Sequence, residues 1–246
     1  MLFFGLFWGD WTLLLMIPAI IFTVIAQMKV KSTFTQYSKA RVRSGMTGAE
    51  AARRLLDLNG LYDVPVERIR GELTDHYDPR SRKLRLSEKV YDSPSAAAIG
   101  VACHEAGHAV QHAKKYAPLA LRMRIIPVCN IGSQLAMPLF FIGLILSNAV
   151  VLADGTSAGL GAPLMFAGIL FFSLATFFQL VTLPVEFNAS KRALQGIREH
   201  HLLAEEELPA AKKVLSAAAM TYVAALATSL LSLLRLILIA RNSNRR

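Results

Sequence analysis

Four apolar stretches, at about residues 11–28, 131–153, 162–183 and 214–240, leave few folds open to this chain. Each is long enough to cross a hydrocarbon core of about 30 Å as a helix, which takes roughly 20 residues. Peptide groups find no water there, so the segments must satisfy their own backbone, and a helix does so internally. A hydrophobic fraction of 54% with a formal charge of +10 over 246 residues excludes an ordinary soluble domain. It fits an integral membrane protein with basic flanks.

The charges give an orientation. Lys29, Lys31, Lys39, Arg41 and Arg43 follow the first stretch. A cleavable signal peptide carries its charges before the apolar run, so an uncleaved anchor with its N-terminus outside is expected. Residues 154–161 contain no Lys or Arg, whereas Arg122 and Arg124 precede the central pair of stretches and Lys191 and Arg192 follow it. The positive-inside rule places that loop outside and both flanks in the cytoplasm. The fourth stretch contains Arg235 and is followed by Arg241, Arg245 and Arg246, which a four-span count puts outside. Either these charges violate the rule, or the segment begins as a soluble-side helix packed near the active site. The expected organisation is an anchor at 1–28, a cytoplasmic part at 29–130, a hairpin at 131–183, a cytoplasmic helix at 184–213 and a membrane or membrane-packed helix at 214–246. Flanks near anionic lipid account for much of the positive charge. No nucleic-acid motif accompanies it, so the expected partners are the lipid bilayer and a peptide or protein substrate, membrane proteins included. Two cysteines, Cys103 and Cys129, make no disulfide framework and suit a reducing compartment; Cys103 reads as a small buried apolar residue.

The polar segment before the second stretch reads as a small α+β unit. Thr47 with Glu50 three residues on forms a capping-box pattern that opens a helix. Leu55, Leu56 and Leu58 continue it, and Asn59-Gly60 ends it. Val64, Val66 and Ile69 alternate as in a strand. Residues 73–87 read as a hairpin turning at Asp78-Pro79-Arg80-Ser81. Its edge either serves to hold an extended substrate by β-augmentation or only stabilises the unit. Asp75, His76 and Asp78 fit a polar turn better than a cleft lining.

Next, Ser93-Pro94 predicts a helix over 94–116, with Ser93 as cap and Pro94 at the first position. In its middle lies His104-Glu105-Ala106-Gly107-His108, the H-E-x-x-H pattern of zinc peptidases. Residues i and i+4 share one helix face about 5–6 Å apart, so both imidazoles can reach one Zn2+ at roughly 2.0–2.1 Å. Glu105 stands beside the metal as general base, taking a proton from a water whose pKa the zinc lowers and passing it to the leaving amine. The pattern also recurs in non-peptidases, where such histidines are satisfied polar groups.

A catalytic zinc takes three protein ligands and keeps one position open. His112 continues the histidine row, but three successive turns span about 12 Å, too far for one ion; a supporting role is expected. A metzincin carries a third His six residues after the motif, where Lys114 stands, so that class is excluded. Glu186, on a helix expected to restart after Pro184, is the better candidate, against the alternative of an ordinary carboxylate at a helix N-terminus. For the oxyanion of a tetrahedral intermediate, Tyr222 and Arg192 are both candidate donors. His200 and His201 read as solvated.

Leu73 to Pro79, Leu84-Arg85-Leu86-Ser87, the His104 to His108 motif, Gln179 to Leu194 and Ala217 to Ala224 together resemble the YugP family of bacterial membrane zinc peptidases over nearly the whole chain. In its metal motifs alone the chain is similar, more distantly, to the HtpX and Ste24 membrane peptidases. Those carry H-E-x-x-H before a transmembrane hairpin and E-x-x-A-D after it. The resemblance implies that Glu186 is the third ligand, making a gluzincin-like His104, His108, Glu186 set, with Ala189 matching the Ala. Ser190 stands where those relatives have an Asp that orients the ligands. That role would fall to Ser190, Asn188 or another residue.

The expected protein is therefore a mainly α integral membrane protein with about four transmembrane helices and a small α+β zincin-like cytoplasmic domain. The expected function is a zinc-dependent endopeptidase, multi-pass in the cell membrane, with its active site facing the cytoplasm close to the membrane surface. An intramembrane protease is the first alternative, opposed by His112, Lys114 and Lys115 on the motif helix. A zinc-bound scaffold without catalysis is the second, opposed by the intact general base.

Overall fold

The computed structural model describes residues 11–149 and 159–243. A short 3-10 turn, Trp11–Leu15, leads into α1 (Met16–Tyr37). There follow α2 (Gly48–Leu58), β1 (Val66–Ile69), β2 (His76–Asp78), β3 (Lys83–Ser87) and the single turn α3 (Glu88–Tyr91). The motif helix is α4 (Ala96–Ala113), and three long helices complete the chain: α5 (Ala117–Ala149), α6 (Gly161–Glu199) and α7 (Leu208–Ser243). Four helical segments, Trp11–Tyr37, Ala117–Ser147, Gly161–Glu199 and Leu208–Ser243, are long and apolar enough to cross a membrane. The molecule is thus a mainly α membrane protein with one small three-stranded sheet. Most of the loop expected to lie outside, and Arg245 and Arg246, fall outside the described residues.

The chain divides into two compact units. One comprises Ile25–Leu121 and Thr182–Tyr222. Its α2 begins with the capping box: Thr47 Oγ1 accepts from the Glu50 N–H at 3.3 Å, and Glu50 Oε2 accepts from the Thr47 N–H at 2.8 Å. Asn59 caps the other end, and Gly60 follows with φ +73°, which a side chain would oppose. In the sheet, β3 lies between β1, parallel to it, and β2, antiparallel to it. Period-two alternation buries Leu84 and Leu86 against α4 and turns Lys83 and Arg85 outward, where they meet Glu67.

Three local expectations are corrected. The motif helix starts at Ala96, not Pro94, and its cap is Ser95, whose hydroxyl accepts from the Ala98 N–H at 3.2 Å. The Pro94 carbonyl is taken by the Val42 N–H, and Ser95 bridges Arg41, so this stretch pairs with extended chain instead of opening the helix. The second apolar helix begins at Ala117, well before Ile131. And α6 does not restart at Pro184 but runs through it unbroken. An interior proline costs about 3 kcal/mol. Val185, Ala189, Ala193 and Ile197 form a stripe at every fourth residue and are all fully buried. Burying Val or Ile contributes about 1.5–3 kcal/mol each, enough to carry the helix past the proline. Leu208, Ala211 and Leu215, in the first turns of α7, belong to the core of this unit.

The other unit contains the chain up to Val24, Arg122–Val181 and the chain from Val223. Phe140, Leu144, Met165 and Leu236 form its small core, while Ile20, Ile21, Phe166 and Leu170 point outward, as lipid-facing side chains do. Its helices meet through small residues: a Cβ on Gly168 would come 2.7 Å from the Ala136 carbonyl oxygen. Hydroxyls pair between helices, Thr176 with Ser229 at 2.8 Å and Thr23 with Thr228 at 3.1 Å. Arg235 donates from Nε to Thr12 Oγ1 at 3.3 Å, giving this cation of the apolar stretch a polar partner.

In the first unit, Gly107 lets α4 and α6 touch: a Cβ there would come 2.7 Å from the Ala189 carbonyl oxygen, a backbone atom that cannot step aside. Gly107→Val should destabilise this unit by about 1–3 kcal/mol through overpacking. It should also weaken metal binding, both read by thermal melting and zinc titration of the detergent-solubilised protein. A variant that melts and titrates like the parent would contradict the packing.

Candidate metal centre

On α4, His104 and His108 stand one turn apart with ring centroids 4.8 Å from each other and planes at 83°. The contact at Gly107 holds Ala189 of α6 against them, and Glu186 lies one turn earlier on the same helix. Its Oε2 is 3.3 Å from His104 Nε2 and 3.5 Å from His108 Nε2, and the three possible ligand atoms all lie within 4.8 Å of one another. Four ligands at roughly 2.0–2.2 Å around tetrahedral zinc are about 3.3–3.6 Å apart. The two separations from Glu186 Oε2, 3.3 and 3.5 Å, match such an edge, and the third lies within 4.8 Å. Two imidazole nitrogens and a carboxylate oxygen gathered this closely could hold a metal ion, and the donor set fits zinc. The histidine side chains are 12% exposed and that of Glu186 3%, so the centre is nearly shut from water.

The far sides of both rings are also held. His104 Nδ1 meets Ser190 Oγ at 3.0 Å. His108 Nδ1 meets Gln111 Oε1 at 3.0 Å, and Gln111 is fully buried. The Gln111 Nε2 donates to the Val185 carbonyl at 2.8 Å and to Asn188 Oδ1 at 3.0 Å. Sequence reasoning left Gln111 out. The available signal was a large polar residue three positions after His108, among apolar neighbours on the ligand-bearing side of the helix.

Glu105 lies about 100° round the helix from His104. The backbone N–H of Tyr77 on β2 donates to its Oε2 at 3.0 Å, and the Tyr77 hydroxyl meets His112 Nδ1 at 2.9 Å. Tyr77 therefore spans two turns of α4 and fixes β2 beside the motif; it too escaped the sequence reading. Burial pushes the Glu105 carboxyl above the usual range, with His104 and His108 acting against that shift.

The remaining candidates are distributed as follows. His112 stands outside the three-residue metal group and partners Tyr77. Asp75 accepts from the Ser87 N–H and hydroxyl, and Asp78 accepts from the Arg80 N–H and the Ser81 hydroxyl, so both carboxylates build the hairpin. Those hydrogen bonds hold the Asp78 carboxyl at about 2. Exposed His76 contacts the Thr74 carbonyl. Arg192 donates from Nε to Asn188 Oδ1 at 2.7 Å and lines a cavity of about 130 Å³ with Gly107, Lys114 and His200. Tyr222 sits half-buried on α7. Cys103 is fully buried, and burial pushes its thiol well up.

The chain matches known proteins. The family model described as "Putative neutral zinc metallopeptidase" matches residues 12–241. The chain is 54% identical over 217 residues to "Putative membrane protease YugP" of Bacillus subtilis (strain 168), covering 88% of this chain and 91% of the relative. No solved structure matches. A match over almost the full length, joined to a His, His, Glu cluster in a chain with four apolar helices, shows that the chain belongs to the YugP family of membrane zinc metallopeptidases.

Proposed function

We propose that the chain is a membrane-anchored zinc endopeptidase that hydrolyses peptide bonds on the cytoplasmic side of the cell membrane. The observation that carries this reading is the convergence of His104 Nε2, His108 Nε2 and Glu186 Oε2 within 4.8 Å of one another, with Glu105 beside His104 on α4. Zinc held by these three residues supplies a Lewis acid that makes water nucleophilic near neutral pH and polarises a carbonyl. The chain supplies the rest. With Oε2 of Glu105 tied to the Tyr77 N–H, the other oxygen is left to take the proton of the attacking water and hand it to the leaving amine. The fixed donor keeps the carboxylate from rotating between those two steps. Tyr222 is the side chain we assign to the developing oxyanion, and Arg192, whose Nε is engaged by Asn188, is the alternative.

A peptide has a place to lie. As an outer strand of the sheet packed beside α4, β2 can pair with an extended substrate. Its Tyr77 N–H is committed to Glu105, so such a substrate would bond the strand's carbonyls with its own N–H groups. The cytoplasmic side follows from Lys29 to Arg43, Arg122, Arg124, Lys191 and Arg192, which all flank apolar stretches at the ends facing the site-bearing segments. The motif helix is not among the four membrane-crossing candidates, which favours a surface protease over an intramembrane one.

Glu105→Gln should lower turnover of an unfolded protein substrate by about 10²–10⁴-fold while zinc stoichiometry stays at the parent level. Glu186→Ala should lose zinc as well as activity, checked by metal analysis of the purified protein. Full proteolysis by Glu105→Gln would refute the mechanism.

For the orientation, a cysteine placed at exposed Arg80 should react with an impermeant maleimide only after the membrane of intact cells is opened. Labelling in intact cells would put the site on the other face.

A further inference from the structure

Every hydrogen bond between Arg192 and the metal centre has a direction that chemistry fixes from one end. A guanidinium has donors and no acceptor. The Arg192 Nε–H, 2.7 Å from the Asn188 side chain, therefore requires the oxygen and not the nitrogen of that amide to face it. The same Oδ1 receives Gln111 Nε2 at 3.0 Å, and the second N–H of that group goes to the Val185 carbonyl at 2.8 Å. With both N–H groups spent on acceptors, Gln111 turns Oε1 toward His108 Nδ1, 3.0 Å away. Turning Gln111 over would set its oxygen against two other oxygens in a fully buried position, where an unpaired polar group costs about 1–3 kcal/mol.

We propose that Arg192, Asn188 and Gln111 form a positioning relay that fixes His108 as the Nδ1–H tautomer and so presents its Nε2 lone pair to the metal. His104 is held differently. Its Nδ1 partner is the Ser190 hydroxyl, which donates or accepts equally well and leaves the tautomer of that ring unspecified. The relay thus gives the chain one ligand of fixed tautomer, and it gives Arg192 a positioning role through Asn188 and Gln111. That His108 binds zinc rests on the function proposed above; the tautomer does not.

The test uses the full chain in detergent. Zinc affinity, measured by chelator competition, should fall about 10–100-fold in Gln111→Met, the range typical for losing the partner of a ligating histidine. Arg192→Met should show a similar loss, and Arg192→Lys, which keeps a donor without an acceptor, should restore most of it. In metal-free protein with 15N-labelled imidazoles, at a pH where the rings are neutral, His108 should carry its proton on Nδ1. Arg192→Met should mix the two tautomers. A purely structural role would lower the melting temperature alike in Arg192→Lys and Arg192→Met and leave the imidazole spectrum unchanged, which would overturn the proposal. So would a parent His108 protonated on Nε2, or parent-like zinc affinity in Arg192→Met. A parent that binds no zinc yet shows the Nδ1–H tautomer would refute the proposed function and leave the relay standing. If Gln111→Met fails to fold, the two Arg192 variants and the parent spectrum still decide.

Discussion

The touching of two helix backbones at Gly107 and Ala189 is the constraint on which the site depends. Two imidazoles on α4 come from a local sequence pattern, but the third candidate ligand is 78 residues beyond His108 and arrives only because α6 lies against that helix. A zinc tetrahedron tolerates little error in ligand separation. A helix displaced by one methyl group's width would carry Glu186 out of reach, so the smallest residue has to stand at the crossing. The buried stripe of Val185, Ala189, Ala193 and Ile197 supplies the hydrophobic energy that holds α6 in that position, proline included.

The parts of the structure legible in the sequence are those determined within a few residues. The capping box at Thr47 and Glu50, the hairpin around residues 78–81 and the i, i+4 histidines are local devices, and each forms as its pattern implies. The four apolar helices were equally plain, because length and hydropathy are all that a membrane requires. What the sequence concealed depends on contacts between distant segments. Pro94 looks like a first helical residue until the Val42 N–H claims its carbonyl. Pro184 looks like a break until packing outweighs it. The helix that holds the fourth apolar stretch looks as if it starts near residue 214 until Leu208, Ala211 and Leu215 turn out to share one core with α2 and α4. Glu186 was legible as the favoured third ligand from its place after the apolar pair and from the resemblance; its convergence on two nitrogens is a fact of tertiary structure.

Tyr77 joins the fold to the chemistry. A three-residue strand has little stability of its own, yet β2 is tied to α4 at two points, through its amide to Glu105 and its hydroxyl to His112. The same contacts that fix the strand also orient the Glu105 carboxylate. His112, in register with the motif but outside the group that could hold a metal, spends its Nδ1 on Tyr77 and so ties β2 to the helix there.

The substitution of Ser190 for an aspartate bears on the charge of the centre. A zinc ion held there would bring two positive charges, which Glu186 and Glu105 could balance when ionised. A further buried carboxylate beside His104 would then add a negative charge in a site that is nearly closed to water, where an uncompensated charge costs several kcal/mol. Ser190 keeps the hydrogen bond to Nδ1 without adding charge. On the other ring, Gln111 does the same with an amide, and the positive end of its chain, Arg192, is set two side chains back from the ligand. Neutral contacts next to the histidines, with charge held at a distance, let the chain orient both rings without placing a further charge beside them.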